Sequence, residues 1–146
     1  MPGTVEEWVD WAFDRVGEEH GQEEVLAGVQ GRERAFFEEV LGRAAKEGRD
    51  VGVAVRSAAL GLVLAEGTEG AAVVVREVWA RACCMRRSFL AAGLEGMAEG
   101  LALVDSAPVV DGASAGALLE LSSNVDPMVA GAAAGALCYF WPEYGE

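Results

Sequence analysis

His20, the cysteines Cys83, Cys84 and Cys138, and paired carboxylates are the side chains with the chemistry for nucleophilic, metal or acid–base work. His20 is the single histidine, set in Glu18-Glu19-His20-Gly21. A Ser–His or Cys–His system needs its base held by a third group, and nothing nearby supplies one, so His20 reads as a surface residue at a helix end. Adjacent Cys83 and Cys84 diverge by about 100° on a helix and do not share a tetrahedral metal easily. Cys83 leans toward the apolar side and Cys84 away. Cys138 completes no metal-ligand spacing with them or with His20. Consecutive acids such as Glu18/Glu19, Glu23/Glu24 and Glu38/Glu39 point apart on a helix, which suits a solvated face better than acid–base catalysis. Glu95 and Glu99 share a face at i, i+4, where like charges repel mildly. No phosphate loop, dinucleotide fingerprint or nucleophile elbow is present. The chain is therefore expected to be non-enzymatic, with no catalytic residue, no metal and no cofactor.

Two features point to binding. Trp11 falls off the apolar stripe of its helix, among Glu7, Asp14 and Arg15, and an exposed tryptophan is a typical interface anchor. Alternatively a loop or the C-terminal Phe140-Trp141 covers it. The second feature is the basic content of the segment carrying Arg76, Arg81, Arg86 and Arg87. On one continuous helix Arg76 and Arg87 lie near each other around Ala80. They either pair with acids of the first or last third of the chain or meet an acidic partner segment. Trp11, Val73, Arg76 and Arg87 form the candidate partner-binding set.

The elements that must position these residues read as helices. Thr4-Val5-Glu6-Glu7 has capping-box spacing. Val5, Trp8, Val9, Ala12 and Val16 then form a stripe, with Phe13 at its edge. Residues 22–47 are expected to be helical, interrupted or bent near Gly28 and Gly31, with Phe36, Phe37, Val40, Leu41 and Ala44 inward and Gly48 as the stop. Residues 51–65 carry one charge, Arg56. A segment that apolar must be covered on all sides. Asp50 can cap it, and continuous apolarity favours helix over the strand that Val51, Val53 and Val55 would suggest. Glu66-Gly67-Thr68 is the expected turn.

Thr68 is expected to cap a long helix to about Ala92, whose seam Ala71, Val75, Val78, Ala82, Met85, Phe89 has heptad spacing. Either a neighbour within the bundle or a second copy would fill that seam. A shorter helix with Leu94, Met97, Ala98 and Leu101 follows. Gly93, Gly96 and Gly100 cluster on another side of it and allow close approach of a backbone. Ser106-Ala107-Pro108 ends it. Asp111 can cap 112–122, and Asp126-Pro127 is a strong start signal for a helix over 128–141. The expected fold class is all-α, a single-domain bundle of six to seven helices (1–146) around the near-apolar central helix.

Net charge is −13. Residues 1–50 hold thirteen acids against six bases, and residues 93–146 hold eight acids and no base. Such a surface disfavours nucleic acid and anionic membranes. Apolar runs of about 15 residues fall short of the roughly 20 that span a bilayer, so no stable membrane insertion is expected. Three cysteines with an adjacent pair do not look like a secreted disulfide framework, and no charged and apolar leader pattern is visible, so a signal peptide is not expected. A cytoplasmic, reducing location is expected. So is a protein partner, either an amphipathic helix or a basic surface, with self-association open.

Over residues 32–92 the pattern resembles the Bcl-2-like helical regulators, including viral forms. Asp50-Val51-Gly52 opens the apolar helix where that family shows Asn-Trp-Gly-Arg, and the following helix carries Trp79. The resemblance implies a surface groove for an amphipathic partner helix and a role in regulating host cell death or signalling. Val53 stands where the family's ligand-pairing arginine would be, and no Gly-Gly-Trp follows Gly93. A different class remains open: a small-molecule-binding or catalytic bundle, with a cavity left by the small residues of 112–137 and lined by Cys138, Tyr139 and Glu95.

Overall fold

The computed structural model describes residues 2–15, 17, 21–104 and 111–140. The chain is all-α, with eight helices among the described residues: α1 (Val5–Arg15), α2 (Gly21–Gly28), α3 (Glu33–Ala44), α4 (Gly52–Glu66), α5 (Thr68–Ala80), α6 (Arg87–Val104), α7 (Gly112–Leu121) and α8 (Pro127–Leu137). The expected centre is α4. It packs on α2, α3, α5 and most extensively α6. Ala54, Val55, Ala58, Ala59, Leu62 and Val63 are buried in it. Its one charge before the terminal Glu66, Arg56, is exposed and reaches Glu99 of α6 at 3.2 Å. Its buried Ser57 hydroxyl donates to Gln22 Oε1 at 2.7 Å, so the polar group is not left unpaired.

The glycine row of α6 sets how closely α4 and α6 approach. A Cβ at Gly96 would overlap the Arg56 carbonyl and one at Gly100 would lie 2.8 Å from Val63 Cβ, both on α4, whereas one at Gly93 would lie 3.2 Å from Val78 Cγ2 of α5. Lacking Cβ atoms, Gly96 and Gly100 let the backbones of α4 and α6 nearly touch. The reverse arrangement joins α2 to α4, where Leu26 Cδ2 sits 2.6 Å from the Cβ position of Gly61.

Helix boundaries follow local chemistry in most places. Thr4 and Glu7 form the capping box: the Thr4 N–H donates to Glu7 Oε1 at 3.0 Å and the Glu7 N–H to the Thr4 hydroxyl at 3.2 Å. The break at Gly28–Gly31 is present, with Gly31 at φ +87°, and Arg32 donates to the freed Gly28 carbonyl at 2.8 Å. Asp50 accepts from the Gly52 N–H at 3.0 Å. Asp111 and Asp126 cap α7 and α8 through the N–H groups of Ala113, Ser114 and Met128. Helix α3 stops at Ala44, before Gly48. Gly67, at φ +62° and ψ −132°, joins α4 directly to α5, and Thr68 supplies no cap.

The single helix expected from Thr68 to Ala92 is two helices. It breaks over Arg81–Arg86, and the glycine row belongs to the long α6. No glycine or proline forces this break. Its cause is length. At about 1.5 Å per residue, a 25-residue helix spans roughly 37 Å and would overhang the 15-residue α4 by some 15 Å. Turning back instead buries Met85 and Phe89. Arginines of the turn find partners: Arg86 donates to the distant Gly48 carbonyl at 2.8 Å and Arg81 to Glu77, one turn back, at 2.7 Å.

Replacing Gly96 by Ala is expected to cost about 1–3 kcal/mol of unfolding free energy, because the new methyl meets backbone. The same change at Gly42, on the exposed side of α3 with open space around it, is expected to stabilise by about 0.5–1 kcal/mol. Urea unfolding of both variants beside the parent checks the contrast. Equal effects would mean that α4 and α6 are not in close contact.

Candidate functional site

Helices α5 and α7 pack side by side and leave an apolar cleft of about 520 Å³ between them. The α5 side is Val75, Arg76 and Trp79. The spacing from Val75 and Arg76 to Trp79 is one helical turn, so all three share a face. Val75 is buried as floor, while Trp79 is 43% exposed as wall. The α7 side is built from Ala113, Gly116 and Ala117, with Glu120 at the rim. These residues recur at helical spacing, and their small size makes the space. Asp111 also borders the cleft, but its carboxylate is committed: it accepts from Ala113 N–H and Ser114 N–H at 3.1 and 3.2 Å and from the Ser114 hydroxyl at 3.0 Å.

Arg76 is exposed at this rim. Most of the ten arginines are engaged. Arg34 pairs with Glu66, Arg43 with Asp10, Arg49 with Asp14 and Glu47, Arg56 with Glu99 and Arg81 with Glu77. Arg32 and Arg86 donate to backbone carbonyls, and Arg15 lies 5.8 Å from the Trp11 ring centre. Among the described residues Arg76 and Arg87 have neither an ion pair nor a hydrogen-bonded side chain.

The fold does not bring those two together. Arg76 lies on α5, whereas Arg87 begins α6 beyond the turn. Their expected proximity required the unbroken helix. Val73 is buried in the core and offers no partner surface, because α5 is enclosed on that side. Trp11 is half-buried. It packs against the core, edge-on to Trp8 with ring centres 5.5 Å apart. It borders a shallow depression with Glu7, Asp10 and Asp14. The Trp8 ring occupies the space a Gly28 side chain would need, and its buried Nε1–H has no partner among the described residues. Trp79 lines this cleft but lies off the heptad seam that the sequence displays. The signal for it would have been the small-residue face of α7, which becomes meaningful only once α7 lies beside α5.

Cys83, Cys84 and Cys138 are free and exposed. Among the described residues no group of three His, Cys, Asp or Glu side chains is placed to hold a metal ion. No helix there is long and apolar enough to cross a membrane. Val16, His20, Ser106-Ala107-Pro108 and Trp141 lie outside the described residues. Comparison with family models, curated proteins and solved structures gave no match.

The capping box beneath Trp11 carries a pH signature. Hydrogen bonds from the Thr4 backbone, then the Thr4 hydroxyl, then the Gly3 backbone hold the Glu7 carboxyl below the ordinary carboxylate value. A carboxyl lowered by folding contributes stability above its unfolded pKa and loses it as pH falls through the folded one. Glu7→Gln should therefore unfold at a lower temperature than the parent at neutral pH. The gap should close as the medium is acidified through the carboxylate range. Thermal unfolding across a pH series checks this, and a gap that persists in acid would show that the carboxylate is not the acceptor.

Proposed function

We propose that this is a non-catalytic interaction protein that takes an amphipathic helix into the α5–α7 cleft. The observation carrying this reading is the pairing of an exposed Trp79 with an uncommitted Arg76 above an apolar floor. An amphipathic helix lays anchors at i, i+3, i+4 and i+7 into such a groove. Arg76 favours a partner with one carboxylate at that edge. The acidic surface, −13 overall, favours basic residues on the partner's flanks and speeds encounter at low salt. The free, exposed cysteines support a reducing, cytoplasmic setting.

Two other readings have specific support. The enclosure of α4 by amphipathic neighbours favours a Bcl-2-like regulator of cell death or signalling. There Val53, 52% exposed on α4, gives a ligand carboxylate nothing to pair with, so Arg76 would have to serve. The cleft volume also lies within the roughly 300–1,000 Å³ of small-molecule pockets, which favours a ligand-binding bundle, although Cys138, Tyr139 and Glu95 do not line this cleft.

A fluorescein-labelled Leu/Lys amphipathic peptide with a single Glu, titrated by polarisation, tests the leading reading. Trp79→Ala is expected to weaken binding by a hot-spot amount, about 2 kcal/mol or roughly 30-fold. Arg76→Glu should weaken the Glu peptide more than its Gln counterpart. Binding that neither substitution alters would remove the cleft from consideration.

A further inference from the structure

The two walls of the α5–α7 cleft carry opposite charges that nothing within the chain uses. Arg76 is the one base of α5, whose acids are Glu69 and Glu77. Glu77 is taken by Arg81 at 2.7 Å. Glu120 is the one charge of α7, a helix otherwise built of small and aliphatic residues and one serine. Arg76 and Glu120 are both exposed, and they border the same cleft from its two sides. The third charge there, Asp111, is occupied as the α7 cap. Among the described residues Glu120, like Arg76, has neither an ion pair nor a hydrogen-bonded side chain, and the two do not pair with each other across the cleft.

We infer that the occupant of the cleft is a helix with an acid on one flank of its apolar ridge and a base on the other, the base being read by Glu120. The inference rests on the amphipathic-helix reading of the cleft and adds Glu120 as a second specificity-determining residue. The argument is charge complementarity. A helix lying on the apolar floor covers both rims, and a rim charge taken out of water without a counter-charge costs free energy. Arg76 and Glu120 therefore penalise different partners: one rejects a basic flank and the other an acidic flank, so a uniformly charged helix always meets one repulsion. The net charge of −13 would by itself draw any basic segment. Arg76 corrects that bias at one wall, and Glu120 reinforces it at the other. Turning a helix end for end in a groove exchanges its flanks. A partner with both charges on one flank thus satisfies a single wall in either direction, whereas a partner with its charges on opposite flanks satisfies both in one direction alone. The unlike walls consequently also fix which way the helix lies.

Fluorescence polarisation on the full chain with three fluorescein-labelled Leu/Gln amphipathic peptides tests it. The first carries one Glu and one Lys on opposite flanks of the leucine ridge. The second carries the same two residues on one flank at i, i+4, and the third carries Glu on both flanks. The parent is expected to bind the first about three- to fivefold tighter than the second, the worth of one exposed ion pair. The i, i+4 pair stabilises the second peptide's own helix, so peptide helicity cannot produce that order. The advantage should shrink as salt is raised. Glu120→Gln should abolish it, and Glu120→Lys, which makes both walls basic, should bind the third peptide tighter than the first. That gain shows the variant to be folded. Equal binding of the first two peptides by the parent, with Trp79→Ala still weakening both, overturns the charge reading and leaves the cleft itself standing. Failure of all three peptides to saturate the parent overturns the cleft and this inference together.

Discussion

Close contact between α4 and α6, made possible by Gly96 and Gly100, is the constraint on which the rest of the molecule depends. With any larger side chain at Gly96 the α4 carbonyls would be pushed away, and the buried row Ala54, Val55, Ala58, Ala59, Leu62 would lose its cover. Dense packing of this kind tolerates little change in volume. It also explains why α4 carries almost no polar surface. Helices α2, α3, α5 and α6 take up its sides, and Arg56 escapes to solvent, where an exposed ion pair with Glu99 adds little stability.

The surface features follow from that centre. Because α5 must fold back along α4 through the single residue Gly67, its outer side is free to present Arg76 and Trp79. Because α6 is long enough to receive both α5 and α8, α7 is carried beside α5, and its small residues open the cleft. Helix α8 packs on α6 with Val129, Ala133 and Ala136 and leaves its other side without charge. Binding by shape is what such an arrangement can offer: its apolar walls are preformed, and its uncommitted polar groups sit at the rim.

Much of this was legible in the residues themselves. Thr4/Glu7, Asp111 and Asp126-Pro127 are local signals whose hydrogen bonds form within a few residues, so no tertiary information is needed to read them. The continuous apolarity of 51–65 outweighs the alternation of Val51, Val53 and Val55, and the glycine row of α6 marks a close helix contact. The break at Arg81–Arg86 is different. Its residues are acceptable helix formers, and only the finite length of α4 makes a turn favourable. An unbroken helix would set Arg87 next to Arg76, and the turn parts them onto α5 and α6. Val73 failed for a related reason, because a helix flanked on several sides buries more than one stripe. The place of Trp79 in a cleft was not legible, since the opposite wall lies more than thirty residues away in the chain.

Native-state hydrogen exchange resolved by residue bears most directly on the primacy of the α4–α6 contact. Amides of Ala58–Val63 in α4 and Ala92–Met97 in α6 should be the slowest in the molecule, exchanging only through global unfolding, while α1 and α8 open locally at lower free energy. If α4 and α6 amides exchanged through local openings as readily as those of α1, the close glycine contact would not be what holds this fold together.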